Sequence, residues 1–197
     1  MTNITSLITR LLLAVTLATG AGAALAVPAS YHVSIDTSSL SGSGLLEFTF
    51  IGLTSASPST AVVSNFTGNS SGATVVEGSA SGDLSSSATL VGGPDNYVDQ
   101  LVNFGGMFGF DVLLDFATTG TGTTFAAQFY DAAFNYIGAN GPFATIEVTP
   151  GTGTSFMTDG GFTTVSAITA AVPEPGQWLM MATGLLLLGA MARRRSV

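Results

Sequence analysis

The chain has no cysteine, a single histidine, a single tryptophan and only four basic residues among 197. Without cysteine there are no disulfide staples and no thiolate chemistry, and the usual zinc sites, which need Cys or several His, are excluded. All four basic residues are arginines at the ends of the chain, Arg10 and Arg193, Arg194 and Arg195. Between Arg10 and Arg193 lie all twelve carboxylates, eleven of them in residues 27–171, and neither lysine nor arginine. That absence excludes nucleic acid as a partner, because phosphate binding needs cations. It also removes Lys- and Arg-based salt bridges, P-loops, lysine nucleophiles and Arg clamps from the body of the protein. The acidic groups there are left to be solvated, hydrogen-bonded or neutralised by bound cations, of which a divalent metal is the natural one.

What the chain does have is two end segments unlike its middle. Residues 1–26 carry one positive charge, Arg10, then a short run of Leu, Ala, Val and Thr, then small residues ending Ala24-Leu25-Ala26. That order predicts a signal peptide cut after Ala26; an uncleaved helix is disfavoured by the shortness of the apolar run. At the other end, Val172-Pro173-Glu174-Pro175-Gly176 leads into residues 177–192 and then Arg193-Arg194-Arg195. The prolines hold Val172 and Glu174 extended. Residues 178–192 carry no charge, and such a run in lipid must be helical because every backbone group has to be satisfied internally. Counted from Gly176 the apolar helix is about 17 residues and about 25 Å long, and it spans a core of about 30 Å only marginally. Trp178 suits one interface, and the arginines mark the other end as cytoplasmic.

Pro173-Glu174-Pro175, the apolar segment and the terminal arginine cluster together resemble the PEP-CTERM sorting signal of exported bacterial proteins. The resemblance implies an inner-membrane intermediate of a Gram-negative-type cell. It also implies recognition by exosortase, a membrane transpeptidase thought to cut at the motif, and passage to the cell surface or its exopolysaccharide matrix. A permanent single-pass anchor is the alternative. The body, from Tyr31-His32-Val33-Ser34-Ile35-Asp36-Thr37-Ser38, is similar to a group of PEP-CTERM proteins that open on a Tyr-x-Val-x-Val/Ile-Asp-Thr-Ser strand. This second likeness implies no activity for particular residues.

Residues 27–171 form one acidic exported domain in this reading. Alternation of large apolar with small or polar residues predicts strands with one buried face. It is clearest at Phe108, Phe110, Val112, Leu114 and Phe116, with Asp111 and Asp115 turned the other way. The same period of two runs through Leu46, Phe48 and Phe50 against Glu47 and Thr49, through Phe125, Ala127 and Phe129, and through Ala144, Ile146 and Val148. Weaker runs cover 31–36, 61–66, 74–77, 88–91, 97–104 and 163–170. Turn formers separate them, including the Gly-x-Gly pairs at Gly42, Gly120 and Gly151, which lack the nucleotide-binding fingerprint. About ten short strands predict an all-β, antiparallel sandwich of jelly-roll type, flanked by the signal helix and the C-terminal transmembrane helix. Residues 97–103 are the stretch most open to a helical reading, since Val98, Leu101 and Val102 also fit a helical stripe.

Candidate chemistry is sparse. His32 sits on the first predicted strand, where an exposed histidine is the ordinary outcome and a catalytic one the exception. Asp111 and Asp115, on one face of one strand, are too far apart for a glycosidase pair unless a neighbouring strand supplies the second acid. Asp95, Asn96 and Asp99, beside Gly92-Gly93-Pro94, are candidate calcium ligands, against the alternative of an Asx-type turn with solvated acids. Tyr130 and Tyr136, near Asp131, Asn135 and Asn140, are a candidate glycan patch, against tyrosines that merely cap a core. The sequons at Asn65 and Asn69 are expected by chance in a Ser/Thr-rich chain. The leading expectation is a non-enzymatic exported structural or interaction protein without a cofactor. A glycan-binding or calcium-dependent adhesive module is the alternative. Its partners are signal peptidase and the export machinery, exosortase, the membrane in passing, and exopolysaccharide.

Overall fold

The computed structural model describes residues 29–52, 59–117 and 119–168, together with Gly184. Both end signals, with Ala24, Ala26, Val172, Pro173, Glu174, Pro175 and the terminal arginines, lie outside these residues. The described β structure falls within the compact unit Ala26–Thr169.

Among the described residues twelve strands follow in chain order. They are β1 Ala29–Asp36, β2 Ser43–Gly52, β3 Ser59–Thr67, β4 Ser70–Gly78, β5 Ala80–Asp83, β6 Ser87–Val91, β7 Asn96–Asn103, β8 Met107–Phe116, β9 Thr123–Tyr130, β10 Ala144–Thr149, β11 Gly153–Thr158 and β12 Thr163–Ala167. They form two six-stranded sheets, sheet A in the order β12-β1-β8-β3-β6-β5 and sheet B in the order β11-β10-β9-β2-β7-β4. Every ladder between named strands is antiparallel. The body is therefore all-β and sandwich-like, as the alternating pattern predicts.

Phenylalanine fills the space between the sheets. Phe48, Phe50, Phe108, Phe110, Phe125, Phe129 and Phe143 are all essentially removed from solvent. Phe48 of sheet B meets Phe110 of sheet A edge-to-face at 4.8 Å, and Phe129 packs on Phe143 at 4.6 Å. Such pairs add about 0.5–1.5 kcal/mol each beyond the burial of their area. At one side Tyr31 of β1 closes the sandwich, its hydroxyl bonded to Thr154 of β11 and its ring against Phe156.

The helical reading of residues 97–103 is overturned, for they are β7, a strand between β2 and β4. Asn96, Val98, Gln100 and Val102 face the core in strict alternation, so the period is two after all. Two of those four inward positions are polar, which hid the alternation, and the core supplies their partners. The Asn96 amide donates to Phe50 O at 2.7 Å and Val91 O at 2.9 Å and accepts from Phe50 N at 2.8 Å. Gln100 Nε2 donates to Ser71 O at 2.8 Å and its Oε1 accepts from Thr74 Oγ1 at 2.9 Å, across the bulge in β4. A helix here would leave β2 and β4 without the strand that joins them.

Candidate functional site

With the apolar side chains turned inward, the chemistry of sheet B stands on its outer face, and cross-strand register sorts it into rows. One row runs Leu101 (β7), Leu45 (β2), Tyr130 (β9), then Tyr136, which forms an isolated antiparallel bridge with Tyr130. The next runs Val75 (β4), Asp99 (β7), Glu47 (β2), Gln128 (β9). Beyond it come Glu77, Tyr97, Thr49 and Ala126. An apolar and aromatic stripe is thus bordered by an acidic one.

Glu47 and Asp99 are directly opposed, which puts their Cβ atoms about 4.5–5.5 Å apart. Gln128 Nε2 donates to Glu47 Oε1. Asp99 has no such support, and its Oδ1 is shut off from water without a hydrogen-bond partner. Burial, reinforced by the charge of Glu47, raises the Asp99 carboxyl to about 7. Tyr130 is also raised, by burial first and then by its bond with Tyr136 and the charge of Glu47. In Tyr97 burial leads, followed by the charges of Glu77, Asp99, Asp95 and Glu47. Chemically, the pair offers two opposed carboxyls, that of Asp99 protonatable near neutral pH, beside phenols on an open sheet face.

The aromatic end of the stripe is held by a compact loop. Asp131 Oδ1 accepts from the backbone N–H of Ala133 at 2.8 Å and of Asn135 at 2.9 Å, and the Asn135 side chain donates to both carboxylate oxygens. These bonds from Asn135 and Ala133 keep the Asp131 carboxyl below its ordinary value. Phe134, at the tip, has φ +60° and is 70% exposed. A bulky residue in the left-handed region is strained, and the Asp131 network is what keeps it there. Tyr130 and Tyr136 stack at 5.0 Å, with Phe134 at 6.1 Å from Tyr130.

The other candidates fall elsewhere. Asp95, Asn96 and Asp99 do not converge, because Asn96 is turned into the core with its amide committed to Phe50 and Val91, while Asp99 is on the outer face. Among the described residues no three His, Asp or Glu side chains gather to hold a metal. His32, on the outer face of sheet A, bonds through Nδ1 to Asp111 Oδ1 at 2.6 Å, and Asn65 Nδ2 donates to Asp111 Oδ2 at 2.7 Å. Burial raises the Asp111 carboxyl, but the bonds from Asn65 and His32 and the imidazole charge outweigh it, and the net shift is downward. A His–Asp pair is two-thirds of a hydrolytic triad. Its cross-strand neighbour Ser166 directs its hydroxyl to the carbonyl of His32 rather than to the ring. Asp115 lines a separate surface cavity of about 310 Å3 with Ser59, Thr60, Val91 and Phe116.

Sequence reasoning singled out Tyr130 and Tyr136 and turned Glu47 outward, but it put Asp99 in a calcium loop whose members do not converge, and it did not see the opposition of Glu47 to Asp99, the Asp111–Asn65 bond or the display of Phe134. The first two depend on pairing between distant strands. Phe134 carried only the Asp131 turn signal. Compared with protein-family models, curated proteins and solved structures, the chain matches none.

Proposed function

We propose that this chain is a non-enzymatic exported protein of the cell surface or extracellular matrix, whose β body acts by binding. In this reading the N-terminal signal engages the export machinery and signal peptidase. The C-terminal segment then holds the protein in the inner membrane until exosortase processes it at Pro173-Glu174-Pro175. The strand orders β1-β8-β3-β6 and β2-β7-β4 support a jelly-roll reading of the body, with β9, β10, β11 and β12 added at the margins. Fold alone assigns no activity.

The observation that carries the binding role is the outer face of sheet B, where Tyr130, Tyr136 and Phe134 are displayed beside Glu47 and Asp99. Exposed aromatic groups held on a rigid frame serve recognition, because they present large contact area at little cost in ordering. The stacked tyrosines favour the glycan-binding form of this function, with exopolysaccharide as the partner.

Mass spectrometry of the surface form, in cells that possess exosortase, tests the sorting. The expected result is that no peptide from residues 178–197 is recovered. An intact tail on the surface-exposed protein would turn the reading to a permanent anchor.

A further inference from the structure

We propose that the outer face of sheet B binds an amine-bearing glycan, its sugar rings lying along Leu45, Tyr130 and Tyr136 and its ammonium groups against Glu47 and Asp99. The inference rests on the glycan form of the function above and names its ligand class.

Three features of the face converge on such a ligand. The first is the stripe itself. Leu101, Leu45, Tyr130 and Tyr136 are consecutive cross-strand neighbours, and Leu101, Tyr136 and Phe134 are 53%, 44% and 70% exposed. With strands about 4.8 Å apart, the part on β7, β2 and β9 spans about 10 Å, room for a short run of sugar rings whose C–H faces pack on the aromatic surface.

The second is charge. The body holds eleven carboxylates and no Lys or Arg, so a uronic-acid polymer is repelled and a cationic ligand is drawn in. An ammonium group beside Tyr130 is attracted by the ring face and by the acids alike. The third is the deficit at Asp99. Its neighbour directly across the strand, Glu47, is another acid. The titratable groups around it are Glu47 from β2, Glu77 from β4, Tyr97 and Asp95 from its own chain segment, and Tyr130 from β9 with Tyr136 behind it. All are acids or phenols, so none of these side chains supplies a positive charge, and an ammonium group on a ligand would. A basic peptide would answer the charge but makes no specific use of the ring stripe.

Titration calorimetry of the full-length protein with β-1,4-linked glucosamine hexamer, cellohexaose, a hexameric polyuronate and hexalysine tests this. The glucosamine hexamer is expected to bind at least about tenfold more tightly than cellohexaose, with affinity falling as salt rises, and the polyuronate not to bind. Tyr136→Ala should weaken both neutral and amino glycans, whereas Glu47→Gln should weaken only the amino glycan. A circular dichroism melt of each variant confirms that it is folded. Equal binding of cellohexaose and the glucosamine hexamer would overturn the amine selectivity while leaving the glycan reading. Silence toward both sugars would overturn both, leaving the sorting reading to its own test. Hexalysine binding as tightly as the amino glycan, and surviving Tyr136→Ala, would overturn the proposal in favour of a basic peptide.

Discussion

Glu47 and Asp99 face each other across the β2–β7 ladder on the outer side of sheet B, acid against acid where a sheet ordinarily sets opposite charges. Like charges directly opposed destabilise a ladder, so the pair is held at some cost. The fold tolerates it because Gln128 supports Glu47 and because Asp99 keeps its proton to about pH 7.

This arrangement sets a pH dependence. The folded-state pKa of Asp99 is raised above its unfolded value, so its contribution is fully present below the unfolded pKa of about 3.9 and is lost as pH rises through about 7. Asp99→Asn should therefore remove a stability loss between about pH 4 and pH 7 and be the more stable protein at pH 8. The gain is about 1 kcal/mol once screening by solvent at this partly open site is allowed for. Urea denaturation of both proteins at pH 5, 6, 7 and 8 reads the difference. A gap that stays constant over that range would show that Asp99 is not the group titrating.

Asn96 makes the opposite use of a polar side chain. It is 2% exposed, and its amide serves Phe50 N, Phe50 O and Val91 O just where the β2–β7 ladder ends at Thr49 and Tyr97. Asn96→Ala should cost about 2–4 kcal/mol, because buried backbone groups on two strands lose their partner at once. Asn96→Asp should be no better, since it removes the donor and buries a charge. The midpoint of urea unfolding measures both, and a loss under 0.5 kcal/mol, on the order of a surface substitution, would mean other groups replace the amide.

On sheet A the His32–Asp111–Asn65 trio has the reverse sign. The Asp111 pKa is lowered, so its stabilisation is present above the ordinary carboxylate value and is lost as pH falls through the depressed one. Asp111→Asn should be less stable at pH 6 by no more than about 1 kcal/mol, as expected of a largely exposed ion pair. The gap should close at acid pH. Thermal melts from pH 2 to pH 6 follow it, and a gap that widened on acidification would contradict the bonding described.

The strands with a clear demand for burial on one side were legible in the sequence. β2, β8, β9 and β10 announce themselves through large apolar residues at every second position, and β1 more weakly, because one face of each must fill the core. β5 and β11 were missed, and both are sheet edges. Ala80-Ser81-Gly82-Asp83 has no large apolar side chain to alternate, and in β11 the exposed Phe156 and Met157 are adjacent rather than alternate. β7 was ambiguous because Asn96 and Gln100 occupy core positions that the pattern reserves for hydrophobes.

The amino-acid sequence by itself determined the class of the fold, the side of each central strand that turns inward, and the uncompensated acidity of the body. These follow from local period and composition, which need no knowledge of neighbours. The tertiary structure alone decided which strands lie side by side. Pairing brings Glu47 to Asp99, Asp111 to His32 and Asn65, and Leu45 to Tyr130, across intervals that no local signal bridges. Register decides the rest, since a slip of one residue would send each of these side chains to the other face.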